Sequence, residues 1–551
     1  MPLMGSLYIG TSGLQTSQNA LNTTAHNLSN ISTTGYVRQQ VSMTDSLYNT
    51  ISINMSSVSN KQLGMGVTYA ATRQVRSYFL DQSYRKESGR SAFYETSSEA
   101  LSEIEDLFGE LEGVSFSSSL DNLWTAVQEL AKSPADTVKQ GLLVQRASEF
   151  VTNAQSVYGG LTSYQSNLNL QVKKQVETIN SYGKKIKELN EKISNIESGG
   201  VERANDLRDA RNLLLDKLGG MANISFEENA NNVVSVSIEG EPFVTDDKVY
   251  EIALDYDETT GFYTPFWPQN ATYTLNADGT KDYKIDGAKV FNLNQTISST
   301  NDTDIGSLKA LLYARGDHAA TYEDLEDKEH YDKNISQSIV MNVEAEFDRL
   351  ISTIATAING VLKDASDRAD DAAKAAAAAN GATAAEIAAT KSDYMKDSDG
   401  NAIQLFTTIS GDKMTTNNLQ INAELSEQPS KLGFVLDDKS EDQTTADALV
   451  ALFQDSKYVL NPNVTKKNTF TEFYSDLVSQ VGNSGTVYKG IQGSQEETVQ
   501  EVDAARQQIS GVAQDEELTN MIKFQNAYNA SSRYINVISE MLEHIITTLG
   551  S

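Results

Sequence analysis

The sequence predicts a mainly α-helical, multi-domain chain. Its N- and C-terminal helices are expected to pair as a coiled coil, below a long helical-bundle stem that carries β-rich insertions. Three observations predict this. Apolar residues recur every seven positions at both ends. Residues 135–197 hold helical register without a proline. At Gly219-Gly220 the apolar period switches to two.

At the N-terminal end, Leu7, Leu14, Leu21 and Leu28 fall on one helical stripe. Ser, Thr, Asn, Gln, Ala and Gly fill the intervals, and Arg38 is the only charged side chain before Asp45. A narrow stripe without ion pairs on the other faces makes a helix that is marginal alone and needs a partner. The other end offers one. Met521, Tyr528, Ile535, Leu542 and Leu549 repeat at the same interval, and Leu518, Ile522, Ile538, Met541 and Ile545 widen the stripe. The last 34 residues are formally neutral, with Lys523 and Arg533 against Glu540 and Glu543. Periodicity alone is met equally by an ordinary two-helix contact closing a globular domain and by a coiled coil used in assembly.

After the first stripe, Asn30 can close the helix, Gly35 permits a positive φ, and Tyr36-Val37-Arg38 alternate as an extended segment would. Residues 45–80 are Ser-rich and read as short strands or irregular backbone. From Ser88 a helical face returns in Phe93, Leu101, Ile104, Phe108 and Leu111, and a second helix carries Leu120, Leu123, Trp124, Val127 and Leu130. The long helix that follows has two heptad rows. One is Leu161, Leu168, Gln175, Tyr182, Leu189 and Ile196; the other is Val172, Ile179, Ile186 and Ile193. Unbroken, it would measure roughly 90 Å. Gly199-Gly200 ends it, and residues 201–218 form a returning helix.

Val234, Val236 and Ile238 alternate with serines as a half-buried strand does, and Tyr273 and Leu275 are expected opposite Tyr283 and Ile285 across an Asp278-Gly279 turn. Helical text resumes at Gly306 and runs through Ile339, Val343, Phe347, Leu350, Ile354 and Ile358. Residues 366–391 are Ala-rich, a solvated helical excursion. Residues 392–464 read as a second insertion, and the helix returns from Phe470 through Val481 and on to Val512. The expected division is 1–45 with 505–551 as terminal arms, and 46–220, 306–365 and 465–504 as stem. Residues 221–305 form a β-rich insertion pointing outward, and 366–464 a variable one.

Composition narrows the function. The chain has 551 residues, 44 Lys plus Arg and 75 Asp plus Glu, a formal net charge of −31. That excess disfavours nucleic acid and anionic membrane as partners. There is no cysteine, hence no disulfide or thiolate chemistry. No cleavable secretory signal is expected, and no apolar run is long enough to span a bilayer. Of the four histidines, His318 and His330 lie among Asp317, Glu323, Asp324 and Glu326 without zinc-ligand spacing. They are expected on a solvated charged face. Asp397-Ser398-Asp399-Gly400 departs from a calcium loop in its glycine position and lacks the closing glutamate. No phosphate-binding glycine loop or nucleophile elbow occurs, so no catalytic, cofactor or metal residues are assigned.

The segment Ala25-His26-Asn27-Leu28-Ser29-Asn30-Ile31-Ser32-Thr33-Thr34-Gly35-Tyr36-Val37-Arg38-Gln39 resembles the N-terminal motif of bacterial flagellar rod, hook and hook-associated proteins, departing from it at His26 and Ser29. The run from Glu517 to Ser531 resembles the closing helix of the same axial family. Tyr36-Val37-Arg38-Gln39, the internal Ala204-Asn205-Asp206-Leu207 with Arg211 and Leu213-Leu214, and the chain length narrow the likeness to its hook-associated branch. The resemblance implies a structural adaptor that leaves the cell through the type III export apparatus and assembles as a ring at the distal end of the hook. It implies as partners copies of itself, the hook protein, the next hook-associated junction protein and an export chaperone. It also implies ends that order on assembly, with Asn30, Gly35, Tyr36 and Arg38 joining the heptad residues as assembly positions. The alternatives are the hook protein itself and, in a different class, a secreted wall hydrolase on an axial-type stem.

Overall fold

The computed structural model describes residues 2–52, 61–109, 116–200, 202–276, 281–436 and 439–549. Leu111 and the Asp278-Gly279 turn lie outside them, as does the side chain of Leu549.

The chain begins with helix α1 (Pro2–Ser29) and two antiparallel strand pairs, β1 (Gln39–Asp45) with β4 (Val67–Gln74) and β2 (Asn49–Ser52) with β3 (Lys61–Leu63). Helices α2 (Tyr78–Phe108), α3 (Phe116–Lys132), α4 (Thr137–Glu197) and α5 (Asn205–Met221) follow. Next come β5 (Ile224–Glu228), β6 (Val234–Ile238) and β7 (Glu241–Val244) in one three-stranded sheet. They are followed by the pairs β8 (Ala253–Tyr256) with β9 (Tyr263–Phe266) and β10 (Thr272–Leu275) with β11 (Lys281–Lys284). Then α6 (Ser307–Arg315), the short α7 (Lys328–His330), α8 (Ile339–Ala379) and α9 (Ala384–Ala389) lead to β12 (Phe406–Thr408), paired with β13 (Leu419–Ile421). Helices α10 (Ala423–Glu427), α11 (Gln443–Gln454), α12 (Phe470–Ser510) and α13 (Gln514–Leu549) complete the chain.

Four long helices, α2, α4, α8 and α12, make the stem. Aromatic rings fill its centre: Phe116 lies 5.0 Å from Phe347, 4.8 Å from Tyr474 and 5.6 Å from Phe150, centroid to centroid. Local chemistry sets the starts. Asp136 caps α4 by accepting from the Val138 amide, and Thr469 with Glu472 forms a capping box on α12.

Helix α4 runs unbroken for 61 residues, through Gly159-Gly160 and Gly183. One row, Val144, Val151, Tyr158, Gln165, Val172, Ile179, Ile186 and Ile193, stays buried over its whole length. The other expected row does not. Leu161 and Leu168 are buried, but Ile196 is exposed. After Leu168 the buried seam steps one residue, to Asn169, Val176, Gly183, Asn190 and Glu197. The step trades bulk for polarity, because this half of α4 receives strands as well as the helices α5 and α6. Asn190 donates to the Val234 carbonyl (2.8 Å) and accepts from its amide (3.1 Å). Asn180 grips Ile252 the same way, at 2.9 Å for both bonds, and Asn169 bridges Gly261 and Tyr263. Gly183 lets the Phe243 ring in: a Cβ there would lie 2.5 Å from it. On α8, Asn359 donates to the Phe406 carbonyl and accepts from the Leu405 and Phe406 amides.

Several expectations change. Helix α2 starts at Tyr78, ten residues before Ser88. Its first buried positions, Asp81, Arg85, Gly89 and Arg90, are not apolar, so no hydrophobic period announces them. The Ala-rich stretch begins as a continuation of α8, which runs to Ala379, and from residue 371 on its side chains are exposed or half-buried, as a solvated helical excursion should be. Tyr273 does face Tyr283, but Leu275 faces Lys281, and Ile285 lies past the end of β11. The buried side chains of 221–305 and 392–464, among them Val236, Phe243, Trp267, Phe406 and Leu449, share one continuous core with the helices. Among the described strands of these two segments, β10 and β11 are the most exposed. His318 is not on an open face: it pairs with Asp317 at 2.7 Å and Asp324 at 3.3 Å, and these carboxylates raise its pKa to about 10.

Helix α8 also buries three carboxylates fully. Glu344 accepts from the Ala320 amide, Glu346 from Asn461 and Gln480, and Asp348 from the Thr416 and Tyr322 amides. Burial pushes Glu344 up to about 8 and Glu346 up to about 7. Between an ordinary carboxylate pKa and these values, the folded chain holds protons that the unfolded chain has released, so stability falls as pH rises. The apparent Tm is therefore expected to climb as pH is lowered from 8 to 5. Glu344→Gln and Glu346→Gln together should flatten that slope in thermal unfolding. Separately, Asn190→Leu strands a strand amide and carbonyl, and should cost roughly 2–4 kcal/mol in chemical denaturation.

Candidate assembly interface

Helices α1 and α13 lie antiparallel, with Gly10 against Ile535, Gly13 against Ser531 and Asn27 against Glu517. On α13 the seam is the expected one: Met521, Tyr528, Ile535 and Leu542 are half-buried, alternating with Glu517, Phe524, Ser531 and the buried Ile538. On α1 it is not. The face turned to α13 is Gly10, Gly13, Ser17, Ala20, Thr24 and Asn27, at alternating intervals of three and four. Leu7, Leu14, Leu21 and Leu28 flank this seam, each only half-buried.

Small residues hold the seam because the two backbones approach closely. A Cβ at Gly10 would sit 2.7 Å from Ile535 Cγ1, and one at Gly13 would sit 2.9 Å from Ser531 Oγ. The hydroxyls are accommodated without partners on α13: Thr16 donates to the Ser12 carbonyl and Ser17 to that of Gly13, both at 2.7 Å. Such a seam removes little apolar surface from water, whereas one buried leucine contributes about 1.5–3 kcal/mol. The pair is thin and weakly held. The small-residue repeat is visible in the sequence once glycine is counted as a packing residue.

Large apolar side chains remain outside. Leu518, Ile522, Met541 and Ile545, expected to widen the seam, are exposed instead, Ile522 by 60% and Met541 by 49%. Met4, Tyr8, Tyr534, Val537 and Ile546 are exposed as well.

The lower end of the pair is tied to the stem. Asn27, 1% exposed, uses all four of its hydrogen-bonding positions. Its Nδ2 donates to the Gln39 carbonyl (2.8 Å) and to Glu517 Oε2 (3.2 Å). Its Oδ1 accepts from the Gln39 amide (3.0 Å) and the Tyr36 hydroxyl (2.8 Å). Arg38 donates from Nε to Glu517 (2.9 Å), pairs with Glu516 (3.0 Å), and its amide donates to the Ser510 carbonyl. Asn30 ends α1 with its side chain donating back to the His26 carbonyl. Gly35 turns the chain with φ +80 over Leu213 of α5. Next to it the Val37 amide donates to Asp209, which burial pushes up to about 7. Burial and the carboxylates of Asp206, Asp209 and Glu517 hold the Tyr36 hydroxyl protonated, so it stays a donor. Asn30, Gly35, Tyr36 and Arg38 thus cluster at one end of the pair, while Leu7 and Leu542 lie toward the other. Sequence reasoning missed Asn27, Asp209 and Glu517. The signal for two of them was a polar residue standing in a heptad seam.

No group of three or more His, Asp or Glu side chains is placed to hold a metal ion among the described residues, and none of their helices is long and apolar enough to cross a membrane.

The two ends that form this antiparallel pair both match known families. Residues 7–36 match the flagella basal body rod protein family, and residues 505–548 match the C-terminal family of flagellar basal body rod FlgEFG proteins. These ends define a structural protein of the bacterial flagellar axis. Residues 101–375 match the helical domain of flagellar hook-associated protein FlgK. The chain is 25% identical to flagellar hook-associated protein 1 of Bacillus subtilis, over 98% of this chain and 96% of that protein. It is 24% identical to the Salmonella typhimurium protein of the same name, over 97% and 98%. The flagellar hook junction protein FlgK from Burkholderia pseudomallei shares the fold, with TM-score 0.53 and 12% identity over 77% of this chain and 99% of that one. The chain belongs to the flagellar hook-associated protein 1 family.

Removing the Asn27 side chain takes from the Gln39 amide and carbonyl the partner they share, and takes one hydrogen bond each from the Tyr36 hydroxyl and the buried Glu517, which keeps Arg38. Asn27→Ala should cost the terminal unit roughly 2–4 kcal/mol. Limited proteolysis should show faster cleavage within 1–45 and 505–549, with the stem protected as before.

Proposed function

We propose that this chain is a non-catalytic adaptor joining hook to filament, and that its terminal pair is the surface through which copies stack. One observation carries the reading: the outward faces of α1 and α13 expose large apolar side chains, Met4, Tyr8, Ile522, Val537 and Met541, on helices with few charges. Apolar side chains of this size, exposed along two neighbouring helices, are costly in water and are covered in the working state. Neighbouring copies supply the cover, with Leu7, Leu14, Leu21 and Leu28 completing the contact. Residues 1–45 with 505–551 act as assembly arms, and the stem with its strands forms the body around them. The arms gain their final order when copies meet, since the seam alone contributes little.

The surrounding partners proposed are the ones that the family likeness implies. The hook protein lies on one side and the next hook-associated protein on the other, in a ring outside the cell. Before export without a cleaved signal, a chaperone groove covers the apolar face of α13.

Leu21→Asp and Gly10→Leu separate assembly from folding, since both lie far from the stem core. Each variant should keep the stem's helical circular dichroism and proteolytic protection, yet fail to enter the hook end when supplied to cells lacking the wild-type chain. Motility and electron microscopy read the outcome. Normal filaments on Leu21→Asp cells would remove the terminal pair from its assigned role.

A further inference from the structure

Beside the terminal unit, where the β1–β4 pair meets α5 and β5, lies a cleft of about 410 Å³. Five arginines line it: Arg73, Arg76, Arg203, Arg208 and Arg211. That concentration is unusual in a chain whose formal net charge is −31. Within ion-pair reach of them, among the described residues, are Asp81, Glu197, Asp209 and Glu228. These carboxylates do not saturate the guanidiniums. Arg73 is exposed and makes no ion pair among the described residues. Arg211, 1% exposed, lacks a partner at Nε, and Arg76 lacks one at Nη1, whose nearest carboxylate, Asp209, stands at 3.9 Å. A buried guanidinium N–H without an acceptor carries a desolvation cost that an entering anion relieves. Phe226, Leu215 and Val234 give the cleft an apolar floor.

We propose that this cleft binds an oxyanion, a carboxylate or a phosphate group, the two anions whose paired oxygens match guanidinium forks. The site is independent of the junction role. Its anion comes either from an acidic side chain of a second copy, which this chain has in excess, or from a free small anion.

The test uses the full chain at low ionic strength. Inorganic phosphate and citrate should each raise Tm saturably, by roughly 2 °C, beyond sodium chloride at matched ionic strength. Arg73→Ser and Arg203→Ser, both at the rim, should fold normally and bind about tenfold more weakly, the loss of one charge-assisted bond. A response no larger than that of chloride, or one unchanged in both variants, overturns the site. Sedimentation velocity then separates the sources. If a second copy supplies the anion, phosphate and Arg73→Glu both reduce self-association. If a free anion is the ligand, self-association is indifferent to phosphate while the Tm response persists. Either result upholds the oxyanion site.

Discussion

The carboxamide of Asn27 holds the chain's two ends and its first strand in one place. It sits where a coiled coil would ordinarily place an apolar residue, and it satisfies the Gln39 amide and carbonyl, the Tyr36 hydroxyl and Glu517 together. Around it Arg38 bridges to α13 and to the end of α12, and Gly35 sets the loop onto α5. Without that amide a thin, small-residue seam and the Arg38 bonds would have to anchor both ends of a 551-residue chain. The polar knot takes over the anchoring, and the apolar side chains are left available for other contacts.

The same device recurs along the stem. Asn180, Asn190 and Asn359 each present one carboxamide to both hydrogen-bonding groups of a single residue in an extended segment. A helix has no free backbone groups along its length to pair with a strand, and an asparagine side chain lends it a pair. Strands therefore dock on helices at fixed heights, and the excursions from the stem become part of its core.

The long rods were legible because their apolar period is strong: the uninterrupted α4, the Val172–Ile193 row and the α13 row at Met521 through Leu542 are all visible in the sequence. The family was legible in the short terminal motifs. Three kinds of feature were hidden. Buried charged residues, as at Asp81, Arg85 and Arg90, carry no hydrophobic signal and concealed the start of α2. Leucines drew the eye from the glycines and serines of the α1 seam, because bulk was equated with burial. The attachment of residues 221–305 to α4 depended on asparagines and on Gly183, whose role appears only when a strand or a Phe243 ring lies opposite.

The α1 seam has a consequence for how such a chain can vary. In the stem, a large apolar residue can usually be exchanged for another of similar volume. At the tip the order of tolerance is reversed. Gly10 has no room for a single added carbon and Gly13 has room only if the Ser531 hydroxyl turns aside, whereas the neighbouring leucines can drift among apolar types so long as whatever lies against them drifts too. The least conspicuous side chains of the molecule should therefore be its slowest to change across species, and its bulkiest terminal ones should record the identity of its neighbours.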